Sequence, residues 1–286
     1  MGLSRAKLSV IVPTGNREDV IEECLKSVRW ADEVIVVDSI STDATFGIAQ
    51  KYADRILKHE YGFSARQKNW AIPQAAHEWV LIVDTDERIH PDLREEIETM
   101  LTSPQEHSGF RIPRVNLVLG KPVLGAGYYP DYQIRLFRRD KSCYQMRRVH
   151  AHMVVDGSVG TLKAPIIHYA HRSLDQMLRN LLVLMTTWEA EERLLQQTEK
   201  STMFAMASIV FNLLTRPIAA FCSRFLVQGG WREGMHGLSV SMVWGMYIAI
   251  TYMKIWERDL DLPAKWWESD WETRLQASSR KINHDK

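Results

Sequence analysis

The first hundred residues alternate short apolar runs with segments of helical spacing, and no other feature constrains the fold of this chain as strongly. The apolar runs begin at Leu8, Glu33, Arg55 and Trp79, and each has the length of a β-strand. The run over residues 33–38 is apolar on both faces, as in a strand that helices cover on each side. This alternation predicts an α/β fold with a mostly parallel, twisted sheet and helices on both faces.

The pattern changes twice further along the chain. After about Gly109 it consists of strands and loops, and near Ser173 it changes to long helical periodicity. We therefore predict an α/β domain over residues 1–172 and an α-helical C-terminal region over residues 173–286. Within the helical region the spacing predicts two helices broken at Pro217, over Met203–Leu214 and Ile218–Val227. A last helix is predicted at about residues 235–256.

Composition excludes several classes of protein. Lysine and arginine number 36 against 35 aspartates and glutamates, so the net charge of +1 argues against nucleic-acid binding by bulk charge. Hydrophobic residues make up 45% of the chain, which excludes a disordered protein. The three cysteines include no Cys-X-X-Cys pair, which argues against a disulfide framework and a structural zinc site and favours a reducing, cytosolic setting.

Polar and acidic clusters follow three of the predicted strands. They are Pro13–Arg17, Asp38–Asp43 and Asp84–Asp86. Ligands of open α/β sheets bind outside the carboxyl ends of the strands, so these clusters are expected to meet in one crevice. A single Asp-X-Asp tripeptide is common and often only solvates a loop. Its position beside two further clusters favours a Mg²⁺ or Mn²⁺ site that holds a diphosphate.

Ordered motifs over residues 8–172 give the chain a resemblance to a known family. The motifs are Leu8-Ser-Val-Ile-Val-Pro13, Val36-Val-Asp38-Ser39 with Ser41-Thr42-Asp43, Gln67-Lys-Asn69, Asp84-Thr-Asp86-Glu-Arg88, Tyr129-Pro-Asp131, Gln133-Ile-Arg-Leu-Phe-Arg-Arg139, Arg148-Val-His150 and His168-Tyr169. The chain resembles the inverting glycosyltransferases of family 2, in particular the branch with the lipopolysaccharide-core β-1,4-glucosyltransferases. The resemblance implies a GT-A fold for residues 1–172, a UDP-sugar donor and a divalent metal.

The resemblance also implies roles for individual residues. The implied nucleotide-sugar site consists of Pro13, Asn16, Arg17, Asp38, Ser39, Arg66, Lys68 and Asp84. Asp38 would contact the uracil or ribose, and Asp84 would face the ribose. Arg66 or Lys68 would face the diphosphate, while Asp86 would ligate Mg²⁺ or Mn²⁺.

Histidines and arginines between residues 135 and 168 form a second set of candidates. His150 and His168 are expected to contact the diphosphate or its metal. Arg135 and Arg148 are expected to help capture an anionic acceptor, such as lipid A core or a lipid phosphate. A solvated basic face is the alternative interpretation of these arginines.

The chain departs from the family pattern at the position of the general base. The related sequences usually carry a glutamate directly after the Val-His pair, and this chain carries Ala151. An inverting transfer to a hydroxyl needs a base within hydrogen-bond reach of that hydroxyl. Three interpretations remain: an inactivated enzyme, a base supplied by Asp131 or His152, or an ionised phosphate acceptor that needs no base.

The C-terminal region favours association with a membrane surface. Between Ser201 and Trp256 it holds four basic residues and one acidic residue, and seven of the ten tryptophans lie from Trp188 onward. The 17 uncharged residues from Gly237 to Met253 fall short of the ~20 apolar residues of a spanning helix. Helices lying in the interface are therefore favoured over a spanning helix and over a homo-oligomer interface. Trp266, Trp267 and Trp271 would extend this surface.

Together these features predict an inverting, metal-dependent hexosyltransferase at the cytoplasmic face of the inner or plasma membrane, peripheral or monotopic. Its partners would be a UDP-sugar, probed first as UDP-glucose, and a lipopolysaccharide core or lipid-linked glycan acceptor, with no nucleic acid. Transfer to polyprenyl phosphate or to a peptide side chain is an alternative. A catalytically silent sugar-nucleotide-binding or scaffold protein is an alternative from another class.

Overall fold

The computed structural model of the protein describes residues 5–196 and 202–260, so the three tryptophans from residue 266 onward lie outside the described residues. The strands are β1 (Leu8–Thr14), β2 (Glu33–Asp38), β3 (Arg55–Lys58), β4 (Trp79–Ile82), β5 (Glu87–Ile89), β6 (Gly109–Val118), β7 (Lys121–Pro122), β8 (Asp131–Arg138), β9 (Ser142–Tyr144), β10 (Met153–Val155), β11 (Val159–Thr161) and β12 (Ile166–His171). The α-helices are α1 (Ile21–Val28), α2 (Thr45–Ala49), α3 (Ser64–Ala71), α4 (Pro91–Leu101), α5 (Leu174–Leu178), α6 (Thr186–Gln196), α7 (Thr202–Cys222) and α8 (Met235–Asp259).

The central sheet joins a parallel half to a mixed half. Its strand order is β3-β2-β1-β4-β8-β6-β12-β5, and β1 pairs in parallel with both β2 and β4. Strand β8 runs antiparallel to β4 and β6, β12 pairs in parallel with β6, and β5 pairs antiparallel with β12. The predicted α/β fold is therefore confirmed, and the antiparallel β8 connects the two halves of the sheet.

Both faces of the parallel strands are buried, as the apolar runs predict. Val10 and Val36 belong to a core cluster that includes residues of α1 and α4. Ile11 and Ile35 belong to a second cluster, on the side of α3. Because successive side chains of a strand point to opposite faces, each strand contributes to both clusters and is held in register.

The helical region packs against the C-terminal end of β6. Helices α5 and α6 are joined by a π-helical stretch over Arg179–Met185. Met177 of α5 and Leu181 of the π-helical stretch are buried in a cluster with Val118 of β6 and Val243 of α8. The change from strands to helices falls between β12 and α5, and the predicted division into two domains at residue 172 stays a prediction.

Helix α7 corrects one prediction. The break at Pro217 is wrong, because α7 continues through this residue to Cys222. Proline removes one backbone hydrogen bond but keeps a helical φ, and neighbouring helices can stabilise such a turn. The neighbour here is α8, whose Gly245 lies so close that a Cβ on it would be 3.1 Å from the Pro217 carbonyl oxygen. A π-helical turn over Ser223–Val227 follows α7 and ends the helix.

Candidate active site

The carboxyl ends of β1, β2 and β4 meet at an open cavity of about 490 Å³. One side of the cavity consists of loop residues that follow β1 and β2, and another consists of the acidic segment that follows β4. Residues in and before α3 and His168 of β12 complete the lining. Its lining residues are Pro13, Thr14, Gly15, Asn16, Arg17, Ser39, Tyr61, Ser64, Gln67, Asp84, Thr85, Asp86 and His168. The structure thus brings together seven residues expected at the site, namely Pro13, Asn16, Arg17, Ser39, Asp84, Asp86 and His168.

Hydrogen bonds between the loops after β1 and β2 shape their side of the cavity. Asn16 has a φ of 49°, a left-handed conformation that asparagine tolerates better than most residues. Its side-chain oxygen accepts the Thr42 amide at 2.8 Å, and its own amide donates to Ser41 Oγ at 2.9 Å. The buried Asp38 accepts the Ser41 hydroxyl at 2.5 Å. Asp38 thus holds the loop from outside the cavity lining, and its expected contact with the nucleotide stays a prediction.

Two cations from other elements hold Asp84. Lys68 Nζ lies 2.8 Å from its Oδ1, and Arg135 lies 2.7 Å from its Oδ2. Burial acts to raise the pKa of this carboxyl, but Arg135 and Lys68 outweigh burial and hold the pKa well below its ordinary value. Asp84 is therefore ionised at neutral pH, with both oxygens fixed in direction.

Three cationic residues expected to face the diphosphate or the acceptor do not line the cavity. Arg135 is 5% exposed and also lies 2.8 Å from Glu87, so it orients carboxylates instead of facing the cavity. Lys68 reaches the site only through Asp84. Arg66 is exposed and does not line the cavity. The diphosphate and acceptor roles of these residues stay predictions, and the geometry favours a positioning role for Arg135.

Asp86 has no such cation. Within residues 5–196 and 202–260, no lysine or arginine forms an ion pair with it, and the nearest partner is His168 Nε2 at 3.8 Å. Burial raises the pKa of Asp86 despite the neighbouring His168. A half-buried carboxylate in this environment favours the binding of a cation that the protein itself does not supply.

The ring of His168 is held in an orientation that suits a metal ligand. Its Nδ1 lies 2.6 Å from the Asn116 side-chain oxygen. The Asn116 amide nitrogen donates to the Tyr128 carbonyl at 2.9 Å, which fixes that oxygen toward His168. The Nδ1–H group therefore donates to Asn116, and Nε2 faces Asp86. Such an outer partner commonly fixes the tautomer of a metal-ligating histidine.

Asp86 and His168 consequently fit a divalent cation as a two-residue site. The part of the chain that the structure describes contains no group of three histidine, cysteine, aspartate or glutamate residues suited to a metal. Mg²⁺ and related ions are commonly bound by one or two protein carboxylates, with substrate phosphates and water completing the shell. The donor set thus fits a cation that binds together with a diphosphate.

Asp131, one of the candidate bases, is fully paired. Arg114 lies 2.5 Å from its Oδ2, and Gln133 and Asn116 donate to its oxygens at 2.8 and 3.3 Å. Burial acts to raise its pKa, but Arg114 and these hydrogen bonds keep it below the ordinary value. A carboxylate with a lowered pKa and occupied lone pairs is a weak proton acceptor.

The loop between β9 and β10 carries the remaining candidates. Ala151 is half-buried against the core cluster on the α3 side, while His152 is exposed. His150 points toward the helical region, where its Nε2 lies 3.4 Å from the Tyr247 hydroxyl. Arg148 pairs with Glu191 of α6 at 2.7 Å. None of these four residues lines the cavity, so their expected roles stay predictions.

Sequence reasoning missed several residues of the site. Tyr61, Ser64 and Gln67 also line the cavity, and Gln67 donates to Ser39 Oγ at 2.7 Å. Gln67 stands in one of the quoted motifs, which was a usable signal. Asn116 lies in β6 and carries no signal of its own, because its role depends on the distant His168.

Comparisons with known proteins agree with this geometry. The model of the family described as "Glycosyl transferase family 2" matches residues 9–168. A lipopolysaccharide core biosynthesis glycosyltransferase, LpsC of Rhizobium meliloti (strain 1021), is 27% identical over 276 residues, which cover 90% of this chain and 94% of LpsC. An uncharacterized glycosyltransferase of Rickettsia prowazekii (strain Madrid E), RP128, is 24% identical over 279 residues, 91% of this chain and 89% of the relative.

A solved structure with the same architecture is mannosyltransferase PcManGT from Pyrobaculum calidifontis, determined in complex with GDP-Man and Mn²⁺. It aligns with a TM-score of 0.51 and 15% identity over 88% of each chain. The expected GT-A architecture followed by a helical region is therefore confirmed. The family model and the similarity to LpsC confirm the expected enzyme class, a hexosyltransferase. Because the family model spans more than half of the chain, the protein belongs to glycosyl transferase family 2.

Proposed function

We propose that the protein is an inverting, metal-dependent glycosyltransferase that moves a hexose from a UDP-sugar to a cell-envelope acceptor. The observation that carries the proposal is the environment of Asp86, a half-buried carboxylate in the cavity that faces Nε2 of His168. Membership of family 2 supports the class of reaction. Glucose is the first hexose to test.

The residues of the cavity suit a sugar nucleotide. Asp84, held ionised by two cations, presents fixed oxygens that accept hydrogen bonds from ribose hydroxyls. Asn16 and Ser39 shape the wall on the nucleoside side. Asp86 and His168 would hold Mg²⁺ or Mn²⁺, which when bound neutralises the charge that develops on the departing diphosphate. Arg17, at the edge of the cavity, adds a further positive charge near this group.

The name of LpsC supports an acceptor from the cell envelope. LpsC is named for lipopolysaccharide core biosynthesis and aligns with 90% of this chain, including the helical region. We therefore assign residues 1–172 to catalysis and residues 173–286 to association with the membrane, with the acceptor a lipopolysaccharide core or a lipid-linked glycan.

The exposed face of α7 supports a peripheral or monotopic position on the membrane. The structure contains two helical stretches that are long and apolar enough to cross a bilayer, Ser208–Val227 and Met235–Arg258. A buried core helix of a soluble protein can have the same length and composition. They differ in burial: 6% of the apolar window is buried in the first stretch and 44% in the second. The first leaves Phe211, Leu214 and Ile218 each about two-thirds exposed, at 66%, 65% and 65%. An apolar helix face of this kind fits the headgroup boundary of a bilayer, here the cytoplasmic face.

The identity of the general base is tested by restoring glutamate, the residue that related sequences usually carry, at position 151. If Ala151→Glu raises the rate of transfer to a hydroxyl acceptor, the natural chain lacks a base that the fold can accommodate. An unchanged rate would exclude the inactivated-enzyme interpretation. Asp131→Asn and His152→Gln, measured beside it, report on the two side chains that could replace the missing glutamate.

Two alternatives make different demands on the same cavity. Transfer to an ionised phosphate, such as polyprenyl phosphate, forms a bond from the phosphate oxygen to the anomeric carbon and breaks the bond to UDP without moving a proton. Transfer to a peptide side chain, the other acceptor of this alternative, releases a proton and therefore needs a base. A scaffold protein would bind the sugar nucleotide and release no UDP.

The experiment that tests the proposal follows UDP release from UDP-glucose, UDP-galactose and UDP-N-acetylglucosamine in the presence of Mn²⁺. Acceptors are membrane-extracted lipopolysaccharide core and polyprenyl phosphate, and GDP-mannose serves as the control donor. We expect UDP release that depends on both Mn²⁺ and an acceptor. UDP binding without release under every condition, also in Ala151→Glu, would favour the scaffold alternative.

A further inference from the structure

A second cavity of about 390 Å³ adjoins the first, and the lining residues of the two cavities have Arg17 alone in common. It lies between the loop after β1 and the segment that runs from the end of β12 into the π-helical stretch. Every residue that lines it is polar or charged, including Arg172, Arg179, Asp175 and Asn180. Such a cavity is unsuited to a lipid tail or an apolar ring and suited to an ionic, hydrated group.

The positive charge of this cavity is only partly neutralised. Arg172 pairs with Asp19 at 2.6 Å, and Asp175 brings one further carboxylate to the lining. The guanidinium groups of Arg17 and Arg179 form no ion pair within residues 5–196 and 202–260. The two arginines expected to capture an acceptor are paired, Arg135 with Asp84 and Glu87, and Arg148 with Glu191.

We propose that this second cavity binds a phosphate group carried by the acceptor glycan. The proposal rests on the proposed function, because it names the acceptor chemistry of the same active site. Arginine presents parallel N–H donors that match a phosphate, and two unpaired guanidiniums supply the charge that a dianion requires. The donor diphosphate has its own site at Asp86 and His168, and the cavity volume leaves room for the sugar that bears the phosphate.

The position of Arg17 explains how the two cavities act together. Because Arg17 lines both, an acceptor phosphate in the second cavity places the attached sugar beside the donor. Holding two reactants in one geometry lowers the entropic barrier to transfer. An acceptor without the phosphate would still reach the active site but with a higher KM.

The test uses the full chain saturated with UDP and Mg²⁺, into which inorganic phosphate is titrated calorimetrically. Wild type is compared with Arg179→Ala, Arg179→Lys and the control Arg94→Ala. Arg94 is an exposed residue of α4 that pairs with Glu98. We expect phosphate to bind wild type about tenfold more tightly than Arg179→Ala, as loss of one charge-assisted contact implies. Arg179→Lys should recover part of the affinity, and Arg94→Ala should match wild type.

UDP affinity, measured on the same four proteins, separates the outcomes. Unchanged UDP affinity in Arg179→Ala supports an acceptor site, whereas a matching loss assigns the cavity to the donor diphosphate and overturns the proposal. Equal phosphate affinity in wild type and Arg179→Ala overturns it as well. If UDP fails to bind wild type, the proposed function is contradicted and the acceptor site with it. UDP binding without phosphate binding contradicts the acceptor site alone.

Discussion

Two aspartates two positions apart occupy opposite electrostatic environments in this protein. Asp84 is held ionised by Lys68 and Arg135, whereas Asp86 is half-buried beside His168 without a lysine or arginine partner among the described residues. The sequence predicts that both carboxylates lie at a strand end. It does not predict their different partners, because these come from α3, β8 and β12, which only the folded chain brings together.

Asn116 is the residue whose replacement tests the orientation of His168. Asn116→Ala removes the acceptor of the Nδ1 proton, so the imidazole loses its fixed direction and tautomer. We expect Mn²⁺ to bind the UDP complex about 10- to 100-fold more weakly. Free Mn²⁺ measured by electron paramagnetic resonance during a titration reports this affinity. Asn212→Ala on α7 is the control, and an unchanged Mn²⁺ affinity in Asn116→Ala would contradict the assigned role.

At the scale of secondary-structure elements, the regular parts of the sheet were predictable and the irregular parts were not. The apolar runs of β1 and β2 predict strands that end where the cavity begins. The continuity of α7 through Pro217 was not predictable, since it depends on the close approach of Gly245 in α8. The second cavity escaped prediction for a similar reason, because Arg17 and Arg179 are distant in sequence.

Glu33, at the start of β2, shows how one carboxylate joins several elements. It accepts hydrogen bonds from Ser9 Oγ at 2.6 Å and from the Ala76 amide at 2.8 Å, and Arg55 lies 2.9 Å away. Burial acts to raise its pKa, but these three partners outweigh burial and leave the pKa below its ordinary value. A lowered folded-state pKa means that Glu33 stabilises the fold above its unfolded pKa of about 4.3. This contribution is lost as the pH falls through the folded-state pKa.

Glu33→Gln should therefore lower the free energy of unfolding by about 1–3 kcal/mol at pH 7. The difference from wild type should narrow as the pH falls below about 4.3. Urea unfolding at pH 7, 5 and 3.5 measures this difference in the free energy of unfolding, and the exposed Glu23→Gln is the control. A difference that stays constant over this range would show that the charge of Glu33 does not stabilise the fold.

At the scale of the whole molecule, the helical region is tied to the loop that carries the base position. Arg147 pairs with Glu192 and Arg148 with Glu191, both on α6, and His150 approaches Tyr247 of α8. The net charge of +1 is the sum over unlike parts of the chain, an acidic cavity and an apolar helical region that is basic between Ser201 and Trp256. We infer a catalytic head whose acceptor-side loop rests on the helices that meet the membrane.

Association with membranes should depend on α7. Phe211→Ser with Leu214→Ser should weaken binding to vesicles of phosphatidylethanolamine and phosphatidylglycerol at least tenfold, since each buried side chain of this size contributes about 1.5–3 kcal/mol. Cosedimentation measures the effect. The control pair is Leu124→Ser with Val154→Ser, two exposed apolar residues outside the helical region. Unchanged vesicle binding together with loss of a dimer in light scattering would assign the face to an oligomer interface.

The proposed function depends on a cation site formed by Asp86 and His168, and UDP affinity measured with and without Mn²⁺ tests this site most directly. We predict that Mn²⁺ tightens UDP binding to wild type at least tenfold, and that Asp86→Asn removes this dependence while the protein stays folded. UDP affinity that is the same with and without Mn²⁺, or that responds to Mn²⁺ equally in Asp86→Asn, would contradict the account.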